Sequence, residues 1–219
     1  IAKTLAEMGC RLALGARREA NCADLAANLE STYGVEAMGL RCDVTKEEQV
    51  EYAVAATAQR FGSVDILINN AGIGEFATLE TLTIQQFEKV YSTNVFGLAM
   101  LTQQVVKYFV AQNKGNIINI ASTAAKKGFA HGTVYSSSKF ALRGMTECWQ
   151  AELRKNNVRV MLINPSEVTT AFNKEDRAER EEVANKLRSE EISHSIKAVL
   201  EMDDRGFIPE LTVWATNPY

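Results

Sequence analysis

The sequence predicts the α/β class: a doubly wound parallel sheet with helices on both faces, in three α/β/α layers. Three observations predict it. Strand and helix patterns alternate along the chain with short connections, which marks strand–helix–strand units. The strand runs are mostly apolar, as in residues 64–69 (Val-Asp-Ile-Leu-Ile-Asn), the pattern of parallel strands buried on both faces. The residues with chemistry to offer fall where strands end, and ligands of open α/β sheets sit beyond the carboxyl ends of their strands.

Each element has its own signal. Ile1, Leu5 and Met8 stand at helical spacing, and Gly9 is a natural stop. Residues 11–16 read as a strand, 19–33 as a helix closed by Gly34, and 36–41 as a second strand. Thr45-Lys46-Glu47-Glu48 has the form of a capping box opening a helix to Phe61, and 64–69 follow as a strand. Thr83-Ile84-Gln85-Gln86 opens a further capped helix, and 96–112 the next. Residues 116–121 and 158–164 are strands, with a helix carrying Tyr135 between them. A final helix starts at Ser189, and a final strand lies beyond Phe207. The charged segment 173–188 reads equally as a solvated surface helix and as a flap over a site.

At 219 residues the chain suffices for one sizeable core, and it reads as a single domain over 1–219. A net charge of -3 and a pI near 5.6 give no footprint for nucleic acid or an anionic membrane. No apolar run approaches the roughly 20 residues of a membrane span, and no signal peptide opens the chain. Cys10, Cys22, Cys42 and Cys148 are scattered without metal spacing, which predicts reduced thiols in a cytoplasmic protein. His131 and His194 are too few for a histidine metal site, so no metal is expected.

Five strand ends carry unusual residues: Ala16-Arg17-Arg18, Asp43-Val44, Asn69-Asn70-Ala71-Gly72, Ser122, and the run from Pro165 to Thr170. Packing accounts for any one of them but not readily for all five. Tyr135 and Lys139 stand four apart, on one face if the run is helical. A free phenol titrates near pKa ~10, and an adjacent ammonium draws it toward the range useful for acid–base work.

These motifs, in this order over nearly the whole chain, resemble the short-chain dehydrogenase/reductase family: Asp43-Val44, Asn-Asn-Ala-Gly at 69–72, Asn94, Ser122, Tyr135-x-x-x-Lys139 and the Pro165 loop. Within it the chain looks most like members described as 3-oxoacyl-carrier-protein reductase-like. The resemblance implies a Rossmann-like sheet and hydride transfer between a nicotinamide cofactor and a carbonyl. Tyr135 would be the general acid, and Ser122 would hold the carbonyl oxygen. Lys139 would lower the Tyr135 pKa and bind the nicotinamide ribose, while Asn94 would tether a water leading to Lys139. Arg17 and Arg18, where an acidic residue would select NADH, favour the 2′-phosphate of NADPH. Asp43 and Val44 would meet the adenine, Asn70, Ala71 and Gly72 its ribose, and Pro165, Val168 and Thr170 the carboxamide and phosphate side.

Two departures from the family pattern stand out. Ser166 occupies a position where the family carries glycine. The glycine-rich first turn and the strand before it do not precede Ile1, so the sheet is expected to lack its central first strand and the chain to bind cofactor poorly. The substrate pocket is expected among 123–133, 173–188 and 207–219, with a small carbonyl or alcohol, or an acyl thioester, as partner. Lys126 and Lys127 are a thin candidate patch for an acyl carrier. Apolar residues over 96–110 permit a homodimer or homotetramer. The rival reading is a non-catalytic NADP-binding or sensing protein on the same fold.

Overall fold

The computed structural model describes residues 1–172 and 181–217. Its elements follow in the order α1 (Ala2–Glu7), β1 (Leu12–Ala16), α2 (Glu19–Tyr33), β2 (Ala37–Arg41), α3 (Glu47–Phe61) and β3 (Ile66–Asn69). Then come α4 (Ile84–Tyr91), a π-helical turn (Ser92–Gly97), α5 (Leu98–Gln112) and β4 (Gly115–Ile120). The remainder is α6 (Thr133–Leu153), β5 (Val158–Pro165), α7 (Ser189–Leu200) and β6 (Glu210–Val213).

All strand pairings are parallel, in two groups: β1 with β2, and β3-β4-β5-β6. Among the described residues β1 pairs only with β2, and β3 only with β4, so the sheet is interrupted where a central strand was expected. Side chains alternate across the sheet. Leu67, Ile117 and Val160 face a layer built from α3, α5 and α6. Ile68, Ile118 and Met161 face the other side, where α7 packs. Helices α1 and α2 cover that side of β1 and β2, while Val50 and Ala53 of α3 cover Leu40 on the first side. Both faces are therefore buried, which explains why the strand runs read as apolar rather than alternating. Ile1, Ile68 and Leu200 belong to both clusters of the second layer and bridge the two groups of strands.

Helices α2 and α3 end on Gly34 and Gly62 in the left-handed conformation. Thr83 and Gln86 cap α4 reciprocally, as the spacing predicts. The box expected at Thr45 does not form. Asp43 Oδ1 accepts from the Thr45 backbone N–H at 3.0 Å and from its hydroxyl at 2.8 Å, so the side chain is spent in a turn and α3 begins two residues later. The helix expected from Phe96 has its α-portion at Leu98, because the π turn carries the chain from α4 into α5. The surface helix expected over 173–188 is absent from 181–188, where the chain is irregular and Leu187 bridges Val168; residues 173–180 lie outside the described residues. No helix among the described residues is long and apolar enough to cross a membrane.

Candidate active site

Ser122, Tyr135, Lys139 and Asn94 come together beyond the carboxyl end of β4. Ser122 follows that strand and caps a short 3₁₀ turn, its Oγ accepting from the Ala124 N–H at 3.1 Å. Tyr135 and Lys139 lie in the first two turns of α6, whose early residues Val134, Ser138 and Lys139 are buried. Lys139 is 4% exposed and donates to the Ile120 carbonyl, the last residue of β4, at 3.0 Å. Its Nζ stands 5.8 Å from the centre of the Tyr135 ring. The i,i+4 spacing thus places ammonium and phenol side by side, with the ammonium tied to the strand.

Asn94 sits in the π turn, fully buried. Its Oδ1 accepts from the Ile73 N–H at 2.9 Å while its Nδ2 donates to the Ile73 carbonyl at 2.8 Å and to Ser138 Oγ at 3.1 Å. One amide therefore clamps the loop after β3 onto the helix that carries Tyr135. Both N–H donors are spent, and Oδ1 keeps one lone pair, enough for one water. Gly72 lies on the same pocket: a Cβ there would stand 3.6 Å from both Asn94 Oδ1 and Lys139 Nζ. Below this layer, Asn69 bonds Thr102 at 3.0 Å and Asn119 at 2.9 Å, and Asn119 bonds Thr146 at 2.9 Å. This buried ladder fixes β3 and β4 between α5 and α6.

The electrostatics differ from the expectation. Burial pushes the Tyr135 phenol above its ordinary value, with hydrogen bonding to Ser122 pulling the other way. Burial also lowers Lys139 to about 8. The ammonium was expected to draw the phenol down. It bonds a carbonyl and lies 5.8 Å from the ring centre, and desolvation disfavours both charged forms.

The remaining strand-end residues border the same edge. Arg17 and Arg18 follow β1, exposed and without an ion pair among the described residues. Burial raises the Asp43 carboxyl, but the two Thr45 hydrogen bonds, with Arg17 and Lys46 nearby, outweigh it and hold it below its ordinary value. Val44 packs on Gly97, where a Cβ would lie 2.6 Å from the Val44 carbonyl, so only glycine lets the end of β2 meet the π turn. Asn70 and Ala71 are exposed past β3. Pro165 ends β5, and Ser166 donates its N–H to Val213 at 2.8 Å and accepts from the Ala215 N–H at 3.4 Å. Ser166 is not in the left-handed region, so a side chain is tolerated here. Val168 and Thr169 pair with Leu187, and Thr170 Oγ1 accepts from the Phe172 N–H at 3.4 Å.

The structure adds Phe76 and Phe172, which the sequence analysis passed over, and singles out Phe129 within the expected 123–133 wall. Phe76 packs against Tyr135 with ring centres 5.6 Å apart, Phe172 packs against it at 5.7 Å, and Phe129 meets Phe76 at 6.1 Å. Each lies seven to nine residues past a strand end, and that recurrence was the available signal.

Comparisons with known proteins agree with this geometry. A family profile described as short chain dehydrogenase matches residues 1–181. An NADP-dependent 3-hydroxy acid dehydrogenase of Schizosaccharomyces pombe is 33% identical over 164 residues, which is 74% of this chain; the chain spans 63% of that relative's length. The structure of an alcohol dehydrogenase from the archaeon Thermococcus sibiricus, complexed with 5-hydroxy-NADP, superposes with a TM-score of 0.91 at 27% identity, covering 98% of this chain and 90% of that one. An actinorhodin polyketide ketoreductase with NADPH gives 0.88 at 28% identity, covering 100% and 91%. The chain belongs to the short chain dehydrogenase family.

Proposed function

We propose that the protein is an NADPH-dependent carbonyl reductase with Tyr135 as its general acid. One observation carries this reading: a half-buried phenol interacts with the Ser122 hydroxyl and has the Lys139 amine beside its ring, at the ligand edge of a parallel sheet. The phenol is protonated at neutral pH, the form that can donate, and burial raises its pKa further. Ser122 would hold the carbonyl oxygen as negative charge builds on it. Tyr135 would then pass its proton to that oxygen. Lys139 would restore the proton, fed through a water accepted by Asn94 Oδ1.

The pocket suits NADP(H). Arg17 and Arg18, exposed and without an ion pair among the described residues, would bind a 2′-phosphate, and Gly72 lets the chain pass close to Asn94 and Lys139. Bound there, the cofactor supplies the hydride that the carbonyl carbon takes as the oxygen takes the Tyr135 proton, giving an alcohol. Asp43, Val44, Asn70 and Ala71 would line the adenosine side. Pro165, Val168 and Thr170 would line the nicotinamide side, and Lys139 would also bond the ribose hydroxyls.

A 3-oxoacyl thioester is the finer reading that the ketoreductase likeness suggests. The basic patch for an acyl carrier is weak, because Lys126 is engaged by Glu210 at 3.7 Å and Thr212 at 3.4 Å. A free carbonyl compound therefore suits the site better. Exposed Phe96 and Val110 on the π turn and α5 support a homo-oligomer. The test is Tyr135→Phe in the full-length protein. We expect carbonyl reduction to fall about 10²- to 10⁴-fold with NADPH affinity retained. Unchanged turnover would remove Tyr135 from the role of acid.

A further inference from the structure

The aromatic residues around Tyr135 define the kind of carbonyl compound that the site accepts. Phe76, Phe129 and Phe172 reach the catalytic end from three separate loops, following β3, β4 and β5. Their rings are tilted against their neighbours by 40°, 53° and 58° rather than stacked. Phe76 remains 46% exposed and Phe129 51% exposed. Burying the Tyr135 ring explains Phe76 and Phe172. It does not explain Phe129, whose ring contact is with Phe76 and which keeps half its surface in water.

Two of these rings, Phe76 and Phe129, are held in place by backbone. The Ala77 N–H donates to the His131 carbonyl at 3.0 Å, joining the Phe76 and Phe129 loops. The Phe129 ring lies against Gly132, where a Cβ would stand 2.6 Å from the ring. Four neighbouring charges are paired with one another, Glu75 with Lys89 at 2.6 Å and Lys126 with Glu210 at 3.7 Å, while Lys127 is exposed. A ligand of this surface meets ring faces and edges, with the paired charges already neutralised.

We infer that the substrate carries a flat, uncharged ring next to its reducible carbonyl, and that Phe76, Phe129 and Phe172 hold that ring while Ser122 and Tyr135 meet the oxygen. This rests on the reductase reading for turnover but not for binding. Aromatic side chains accept a planar partner in offset or edge contact at ring separations of about 4.5–7 Å. A preformed surface loses little freedom on binding, which favours a rigid ring over a flexible chain of equal size.

The test compares 1-tetralone with 2-decanone, of equal carbon count, on the full-length protein. Binding is measured by calorimetry, and kcat/KM is measured with NADPH. We expect at least about a tenfold preference for 1-tetralone in both readouts. Phe129→Ala and Phe76→Ala should bring that ratio to within about threefold of unity, and Phe129→Tyr should restore it. Thermal melts verify that each variant is folded. A wild-type ratio near one, or a ratio that survives both alanine variants, overturns the inference. Reduction of both ketones alike leaves the reductase reading standing and this inference refuted. Phenylalanine-dependent binding of 1-tetralone without turnover does the reverse.

Discussion

Burial at Tyr135 and Lys139 opposes both charged forms, so the pair as folded favours a neutral phenol and a readily discharged amine. For Lys139 this has a measurable sign. Its folded pKa, about 8, lies below its ordinary 10.5. Below pH 8 the amine is charged in both states, and the native state bears the full cost of burying that charge. Between 8 and 10.5 the unfolded chain holds a proton that the native one does not, so this group's contribution to stability rises with pH. The gap between the two values corresponds to about 3 kcal/mol. Lys139→Met fills similar space without charge and gives up the bond to Ile120. At pH 7 it should be more stable than wild type by about 1–3 kcal/mol in denaturant unfolding, the advantage should fade by pH 10.5, and reduction should be lost. A difference in stability from wild type that stays the same from pH 7 to pH 10.5 would show that the pKa of Lys139 is not depressed. The spacing of Tyr135 and Lys139 was legible in the sequence, since i,i+4 neighbours on a helix must adjoin. The direction of the Tyr135 shift was not, because it depends on which atom the amine bonds and how dry the pocket is.

The π turn between α4 and α5 is the element that assembles the site. It places Asn94 to clamp Ile73 and presents Gly97 to the end of β2. Such turns recur at functional sites because the extra residue redirects side chains. Gly97→Ala would force a Cβ to 2.6 Å from the Val44 carbonyl, a backbone atom that cannot rotate away. We expect a loss of about 1–3 kcal/mol of stability and weaker NADPH binding, read by unfolding and by titration. Full stability in this variant would mean that Val44 moves freely. The sequence did not reveal this turn, since one inserted backbone residue leaves no pattern that differs from a helix. Most other elements were legible: α2 and its Gly34 stop, the Thr83 cap and the apolar strands follow from local chemistry. Thr45 misled because its hydroxyl has a nearer partner in Asp43. Phe76, Phe129 and Phe172 meet only through tertiary structure, so no periodicity could join them.

At the scale of the whole molecule, the proposed cofactor residues are divided between the two groups of strands. Arg17, Arg18, Asp43 and Val44 follow β1 and β2, whereas Asn70, Gly72, Ser122 and Pro165 belong to β3, β4 and β5. Among the described residues no strand hydrogen bonds join the groups. The joint includes apolar contacts through Ile1, Ile68 and Leu200, the packing of Val54 of α3 against Val105 and Phe109 of α5, and Val44 seated on Gly97. Such contacts hold the two groups together by packing. A ligand that contacts both groups of strand ends stabilises both, because it binds only where the two are folded together. NADPH at about 100 times its Kd should stabilise the full-length protein by about 2.7 kcal/mol. Amide exchange should then slow in Leu12–Ala16 and Ala37–Arg41 as well as in Ile66–Asn69 and Gly115–Ile120. Protection confined to β3–β6 would place the cofactor away from Arg17 and Arg18. Arg17→Ala with Arg18→Ala should reduce protection of β1 and β2 by NADPH far more than by NADH, since only the former carries the phosphate that these guanidinium groups would bind.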